Sequence, residues 1–320
     1  MPLAQIVDLR HLRSGDLDRL LDEETQTWHE TLDWDFRASA NLVRRFLDMQ
    51  ALNGYALLAN ARPIGYCYYV SEEKKGLIGD LYVMQDFVSP ELEQHLLSAV
   101  VDTLVKTPFI HRIESQLMML RNSGRIVLPQ RTHLRVYTRD FMEISLLKAA
   151  RLPENRPSHA VVIDNWAERK HDESAALIAT AYQGHIDAEI NDQYRLPAGA
   201  RRFLTNIIQY PGCGSFFQPA SFVALDQSSG KLCGICLSSL VHSDVGHITQ
   251  VCVSKAVRGR GVGYQLIRRS LESLARHGCR KASLTVTSTN REAIELYNRM
   301  GFRQERGFTA YVWSNLSSKQ

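Results

Sequence analysis

No stretch of this 320-residue chain approaches the ~18 consecutive apolar residues of a membrane-spanning helix, so no spanning helix and no membrane partner are expected. Its start, Met1-Pro2-Leu3-Ala4-Gln5-Ile6-Val7-Asp8, lacks the charged segment and apolar run of a secretory leader, which implies a cytoplasmic protein. Cysteine is sparse and unpatterned. Cys67, Cys236 and Cys252 stand in apolar, strand-like runs, where a free thiol acts as a small hydrophobe. Cys233-Gly234-Ile235-Cys236 has a metal-like or redox-like spacing, but no second ligand pair follows and the four residues sit in an expected hairpin strand. Reduced thiols and no metal are the expectation. A basic stripe interleaved with aromatics is also missing, which makes nucleic acid an unexpected partner.

What the chain has is length for two domains and an uneven charge. Residues 1–150 carry 17 basic against 20 acidic side chains, and residues 151–320 carry 21 against 14, for a net charge of +4. The positive surplus falls on the half that holds the most informative segment. There a β-branched run, Ile248 to Val253, leads into the turn Arg258, Gly259, Arg260, Gly261, Val262, Gly263, and an amphipathic helix follows. A strand, a glycine-rich turn and a helix N-terminus form an anion cradle: glycines admit a close backbone approach, and free N–H groups and the helix dipole favour phosphate. A P-loop would place Lys-Ser or Lys-Thr after the last glycine, and Tyr264-Gln265 stands there instead. A dinucleotide fold would space its glycines G-x-G-x-x-G and end the next strand in a carboxylate; here the spacing is G-x-G-x-G and the strand ends in Thr287-Ser288-Thr289.

The turn resembles the Arg/Gln-x-x-Gly-x-Gly/Ala pyrophosphate loop of the GNAT family, the Gcn5-related N-acetyltransferases that bind acetyl-coenzyme A. A second motif, Asn290, Ala293, Leu296, Tyr297, Gly301 and Phe302 in the pattern N-x-x-A-x-x-L-Y-x-x-x-G-F, resembles a frequent ending of that family. The resemblance implies a mixed α/β (α+β) fold with a central mixed sheet flanked by helices. It also implies acetyl-CoA as co-substrate, whose 3′-phosphorylated ADP moiety suits the basic half.

The fold is written twice. A shift of 170 residues lays Gly76-Leu77-Ile78-Gly79-Asp80-Leu81-Tyr82-Val83 on Gly246-His247-Ile248-Thr249-Gln250-Val251-Cys252-Val253, and Leu96, Leu97, Val101 and Leu104 on Leu266, Ile267, Leu271 and Leu274. Two GNAT-like domains are expected, at 1–148 and 158–320, with residues 149–157 as linker around Pro153 and Pro157. Opposite the phosphate turn stand Val88, Ser89, Pro90, Glu91, Leu92 and Glu93, a good helix start and a poor anion site. The N-terminal copy therefore resembles a degenerate member.

In the C-terminal copy the periodicities predict strands at 160–164, 216–225, 232–241, 248–253, 283–288 and 308–313. Helices are expected at 173–182, 199–209, 261–277 and 291–300. The resemblance gives these elements roles. Backbone N–H groups of residues 258–263 take the pyrophosphate. Val251, Cys252 and Val253 run beside the pantetheine arm, the backbone of Val251 and Val253 pairing with it like an added strand, and Asn290 bonds the arm or the departing sulfur. Tyr297, protonated at neutral pH, fits a general acid, although a core aromatic suits the position too. His247 has the chemistry of a general base, and a solvated hairpin histidine is the alternative. Asp187, Glu189 and Asp192 lie in a segment that, by the resemblance, the family commonly uses for substrate contacts, and would suit a cationic amine; a solvated loop is the alternative, and a water relay with no dedicated base is a further option for the deprotonation. An acetyltransferase acting on a small-molecule or peptide amine is the leading expectation. A non-enzymatic acyl-CoA sensor and an aminoacyl-tRNA-dependent transferase are the alternatives. The sequence assigns no oligomeric state.

Overall fold

The computed structural model describes residues 4–155 and 157–316. Met1, Pro2 and Leu3 of the start, Arg156 of the linker and residues 317–320 lie outside the described residues. The chain forms two compact units, residues 1–138 with 308–320 and residues 139–307.

The first unit begins with β1 (Gln5–Asp8), α1 (Ser14–Leu32) and α2 (Arg37–Asp48). The strands β2 (Asn53–Ala59), β3 (Arg62–Glu72) and β4 (Lys75–Val83) follow as a meander. Then come α3 (Pro90–Lys106), β5 (Arg112–Leu117) and the start of β6 (Leu134–Ser145). α3 starts as expected: Pro90 opens it, and the Ser89 hydroxyl accepts from the Leu92 N–H at 3.3 Å.

The second unit takes the end of β6, α4 (Leu146–Ala149), β7 (Val161–Asn165), α5 (His171–Ala181), α6 (Asp187–Ile190) and α7 (Pro197–Gln209). It continues through β8 (Ser215–Phe216), β9 (Phe222–Asp226), β10 (Leu232–His242) and β11 (Val245–Val253). It closes with α8 (Val262–Arg276), β12 (Lys281–Thr287), α9 (Arg291–Met300) and the first part of β13 (Arg303–Ser314). The single strand expected at 216–225 is two. Pro219 has no N–H to give to a ladder, and the chain makes a short 3₁₀ turn at Gln218–Ala220 between β8 and β9.

The packing cut differs from the repeat cut at 149–157 and runs through two strands. Residues 309–314 of β13 pair antiparallel with β5 and finish the first unit's sheet, while residues 139–145 of β6 pair with β12 and finish the second's. Each copy thus receives its last strand from the other copy's end of the chain.

Repeat and structure agree in detail. Each unit has one parallel strand pair, and each pair holds for four residues: 75–78 with 112–115 and 245–248 with 281–284. Each central strand carries one bulged residue at the same place, Gly79 and Thr249, where the register against its hairpin partner slips. Each helix face packs on a bare strand position. Leu104 stands over Gly76 and Leu274 over Gly246, where a Cβ would come within 2.6 and 2.5 Å of them. Leu266, Ile267, Leu271 and Leu274 are fully buried, which makes α8 one face of the second unit's core.

Candidate active site

In the second unit the sheet opens. β11 stays paired with β10 as far as Val253, and β12 stays paired with β6 as far as Thr287, but the two part beyond Ile248 and Leu284. The bulge at Thr249, whose hydroxyl donates to the Leu237 carbonyl at 3.0 Å, turns β11 away.

The hydrogen-bond phase decides which backbone groups line the opening. Ser254 N–H donates to the Cys233 carbonyl at 2.8 Å. Residues two apart share a phase, so Cys252, opposite Ile235, spends its N–H and C=O on β10, while Val251 and Val253 turn theirs to the open edge. Two side chains confirm the direction. The Tyr182 hydroxyl donates to the Val251 carbonyl at 3.3 Å, and Arg258 Nε donates to the Val253 carbonyl at 3.4 Å. Of the three strand residues, Cys252 is therefore set apart: its backbone is used and its thiol is buried, which pushes its pKa up to about 12.

The glycine turn follows directly. Gly259 and Gly261 have φ of +72° and +85°, a region that disfavours any side chain. The first helical hydrogen bond of α8 is Gln265 N–H to the Gly261 carbonyl at 3.1 Å, so the N–H groups of Val262, Gly263 and Tyr264 precede the ladder. The Arg258 guanidinium points back and donates to the Ala181 carbonyl at 2.6 Å, while Ser158 N–H holds the Arg260 carbonyl at 3.0 Å.

On the far side Asn290 caps α9, accepting from Ala293 N–H at 3.3 Å, and its Nδ2 lies 3.4 Å from His185 Nε2. Tyr297 is buried among Phe302, Met300 and the α8 core. Burial first, and then the charge of Asp187, hold its phenol protonated well above the ordinary tyrosine range.

His247 stands elsewhere than the expectation required. It lies on the still-paired part of β11, 3% exposed, with Nδ1 2.9 Å from Ser283 Oγ and its ring stacked on Phe141. Burial pushes its pKa down to about 3, so it holds no proton at neutral pH and has little affinity for one, which weighs against a base role.

The sequence reading missed the wall of the opening. Tyr194 OH donates to Gln250 Oε1 at 3.4 Å, Gln250 Nε2 donates to Tyr182 OH at 2.9 Å, and Tyr182 passes the chain on to Val251. The two phenol rings stack at 4.6 Å. The three acids of the 187–192 segment separate. Asp187 turns inward, 14% exposed, and accepts from the Thr287 hydroxyl at the end of β12. Glu189 lies outside, 3.6 Å from Arg195.

Residues 185–302 match the family described as Acetyltransferase (GNAT) family. This segment belongs to the GNAT acetyltransferases. A mycothiol acetyltransferase of Acidimicrobium ferrooxidans is 36% identical over 104 residues, 31% of this chain and 33% of that protein. An N-alpha-acetyltransferase of Arabidopsis thaliana is 34% identical over 68 residues, 21% of this chain and 36% of that protein. The chain thus spans about a third of the length of these relatives. The fold extends over the whole chain. A GCN5-related N-acetyltransferase from Sphaerobacter thermophilus superposes with a TM-score of 0.66 at 18% identity, over 98% of this chain and 96% of that one. A tandem GNAT protein from the clavulanic acid biosynthesis pathway gives 0.63 at 14% identity, over 98% of both. Among the described residues, no helix is long and apolar enough to cross a membrane.

At the position of the first unit that the 170-residue shift lays on Gly263 stands Glu93. Glu93, in the first turn of α3, is buried, and its carboxylate accepts from the backbone N–H of Arg121 at 2.9 Å and of Asn122 at 3.0 Å, and from Asn122 Nδ2 at 2.8 Å.

Proposed function

We propose that the second unit transfers the acetyl group of acetyl-CoA to an amine of a small molecule or peptide, and that the first unit binds no cofactor. The parted strands carry this reading. Val251 and Val253 turn their backbone groups away from β10 to the open edge, and the glycine turn stands one helical start away, the arrangement that fits a pantetheine arm and its pyrophosphate. The relatives' names support both acceptor classes.

The amine nitrogen attacks the thioester carbonyl carbon and the carbon–sulfur bond breaks. The thiolate takes the phenolic proton of Tyr297, and the proton lost by the amine leaves to solvent, from which Tyr297 is restored. A backbone N–H on the open edge of β11 polarises the carbonyl. In the first unit the Glu93 carboxylate takes the place and the charge of a bound diphosphate, which supports a non-binding copy. A cytoplasmic location accords with the reduced, mostly buried cysteines. Release of free CoA thiol from acetyl-CoA on addition of a panel of amino sugars, amino-acid amides and short peptides tests the reading. Turnover with none of them would count against it.

A further inference from the structure

The chain between α5 and α6 crosses the opening from one lip to the other. At the β11 lip, Arg258 Nη2 donates to the Ala181 carbonyl at 2.6 Å, the Tyr182 hydroxyl to the Val251 carbonyl at 3.3 Å, and Lys255 Nζ to the Gln183 carbonyl at 2.9 Å. At the β12 lip, His185 Nε2 lies 3.4 Å from Asn290 Nδ2, and Asp187 accepts from the Thr287 hydroxyl. These ties fall on the groups that a pantetheine arm would use. Tyr182 takes the first carbonyl of the open edge, Val251. Arg258, which holds the segment at Ala181, takes the second, Val253, through Nε at 3.4 Å. His185 stands against the Asn290 amide. Segment and arm therefore compete for one backbone edge and one side-chain amide.

The segment is built to move. Its middle is a turn, closed by the His185 N–H on the Tyr182 carbonyl at 2.9 Å, with Gln183 and Gly184 exposed at its tip. Gly184 has φ of +75°, and a Cβ there would meet nothing within 4 Å. The ties to the two lips are single hydrogen bonds, each of which water or a ligand can replace at a net cost far below that of unfolding.

We propose that residues 182–186 form a strap that closes the opening in the free protein, and that acetyl-CoA binds by lifting it, with Gly184 as the hinge. This rests on the acetyltransferase reading above. The strap sets the cofactor affinity: only the lifted form binds, so whatever weakens the closed form strengthens binding in proportion.

The test is amide hydrogen exchange of the full chain with and without acetyl-CoA, joined to calorimetric titration of wild type, Gly184→Ala and Tyr182→Phe with acetyl-CoA. Acetyl-CoA should speed exchange at residues 182–188, the opposite of the protection a ligand gives to the residues it covers. Gly184→Ala strains the closed turn alone, so its affinity should rise about 3-fold. Tyr182→Phe keeps the ring and removes the tie to Val251, so its affinity should rise about 3- to 10-fold, whereas loss of a true cofactor contact would lower it. Protection or unchanged exchange at 182–188, or no rise in affinity in either variant, would overturn the strap and leave the acetyltransferase reading standing. A wild type that binds no acetyl-CoA would overturn both.

Discussion

Leu274 lies over Gly246 so closely that a Cβ on that glycine would stand 2.5 Å from Leu274 Cδ1. Leu274 is fully buried and has nowhere to retreat. Gly246→Ala should therefore lower stability by about 1–3 kcal/mol, read as a fall in Tm. Gly263→Ala, whose new methyl would meet Val253 at an ordinary 3.5 Å inside a helix, should leave Tm unchanged or raise it. Equal effects at the two sites would contradict the packing described.

Tyr297 is assigned the proton that the leaving thiolate takes. Tyr297→Phe keeps the ring that packs against Phe302 and removes only the hydroxyl. kcat should fall about 100-fold or more while acetyl-CoA affinity holds within a few-fold. An unchanged kcat would remove the general-acid role.

The first unit carries its own pH dependence. Glu24 is buried beside Asp80. Tyr66 OH donates to Glu24 at 2.8 Å, Trp28 Nε1 at 3.4 Å, and Leu81 N–H donates to Asp80 at 2.8 Å. Burial pushes the Asp80 carboxyl up to about 6; burial and then the charge of Asp80 push Glu24 well above the carboxylate range. Both groups bind protons more tightly folded than unfolded. Their contribution is fully present below the ordinary carboxylate pKa of about 4 and is lost as pH rises through about 6 and beyond. Glu24→Gln cannot ionise, so its Tm relative to wild type should climb between pH 5 and pH 8. A difference that stays constant over that range would refute the coupling.

Much of this was legible in the chain. The glycine turn, the Asn290–Tyr297 motif and the 170-residue repeat name local backbone demands, and local demands survive in sequence. Gly76 and Gly246 mark the same bare strand position, and Gly79 and Thr249 the same bulge. The exchange of final strands was not legible, because the alternation in β13 fits either sheet and only pairing with β5 decides. Asp187, Glu189 and Asp192 were legible as a group, but not which of them turns inward, because the partners of Asp187, Thr287 and Arg139, come from distant parts of the chain. His247 carries the right chemistry in sequence, but its burial on the paired part of β11 is a tertiary fact. The split at Pro219 was readable and follows from one missing N–H.

The central claim is one cofactor site per chain, on the glycine turn of the second unit. Calorimetric titration of the full chain with acetyl-CoA, in wild type and Gly261→Glu, tests it most directly. Gly261 has φ of +85°, and a glutamate there sets strain and negative charge at the start of α8. Wild type should bind with a stoichiometry of one, and binding should be lost in a variant that remains folded by its Tm. Two sites per chain, or binding that survives the substitution, would contradict it.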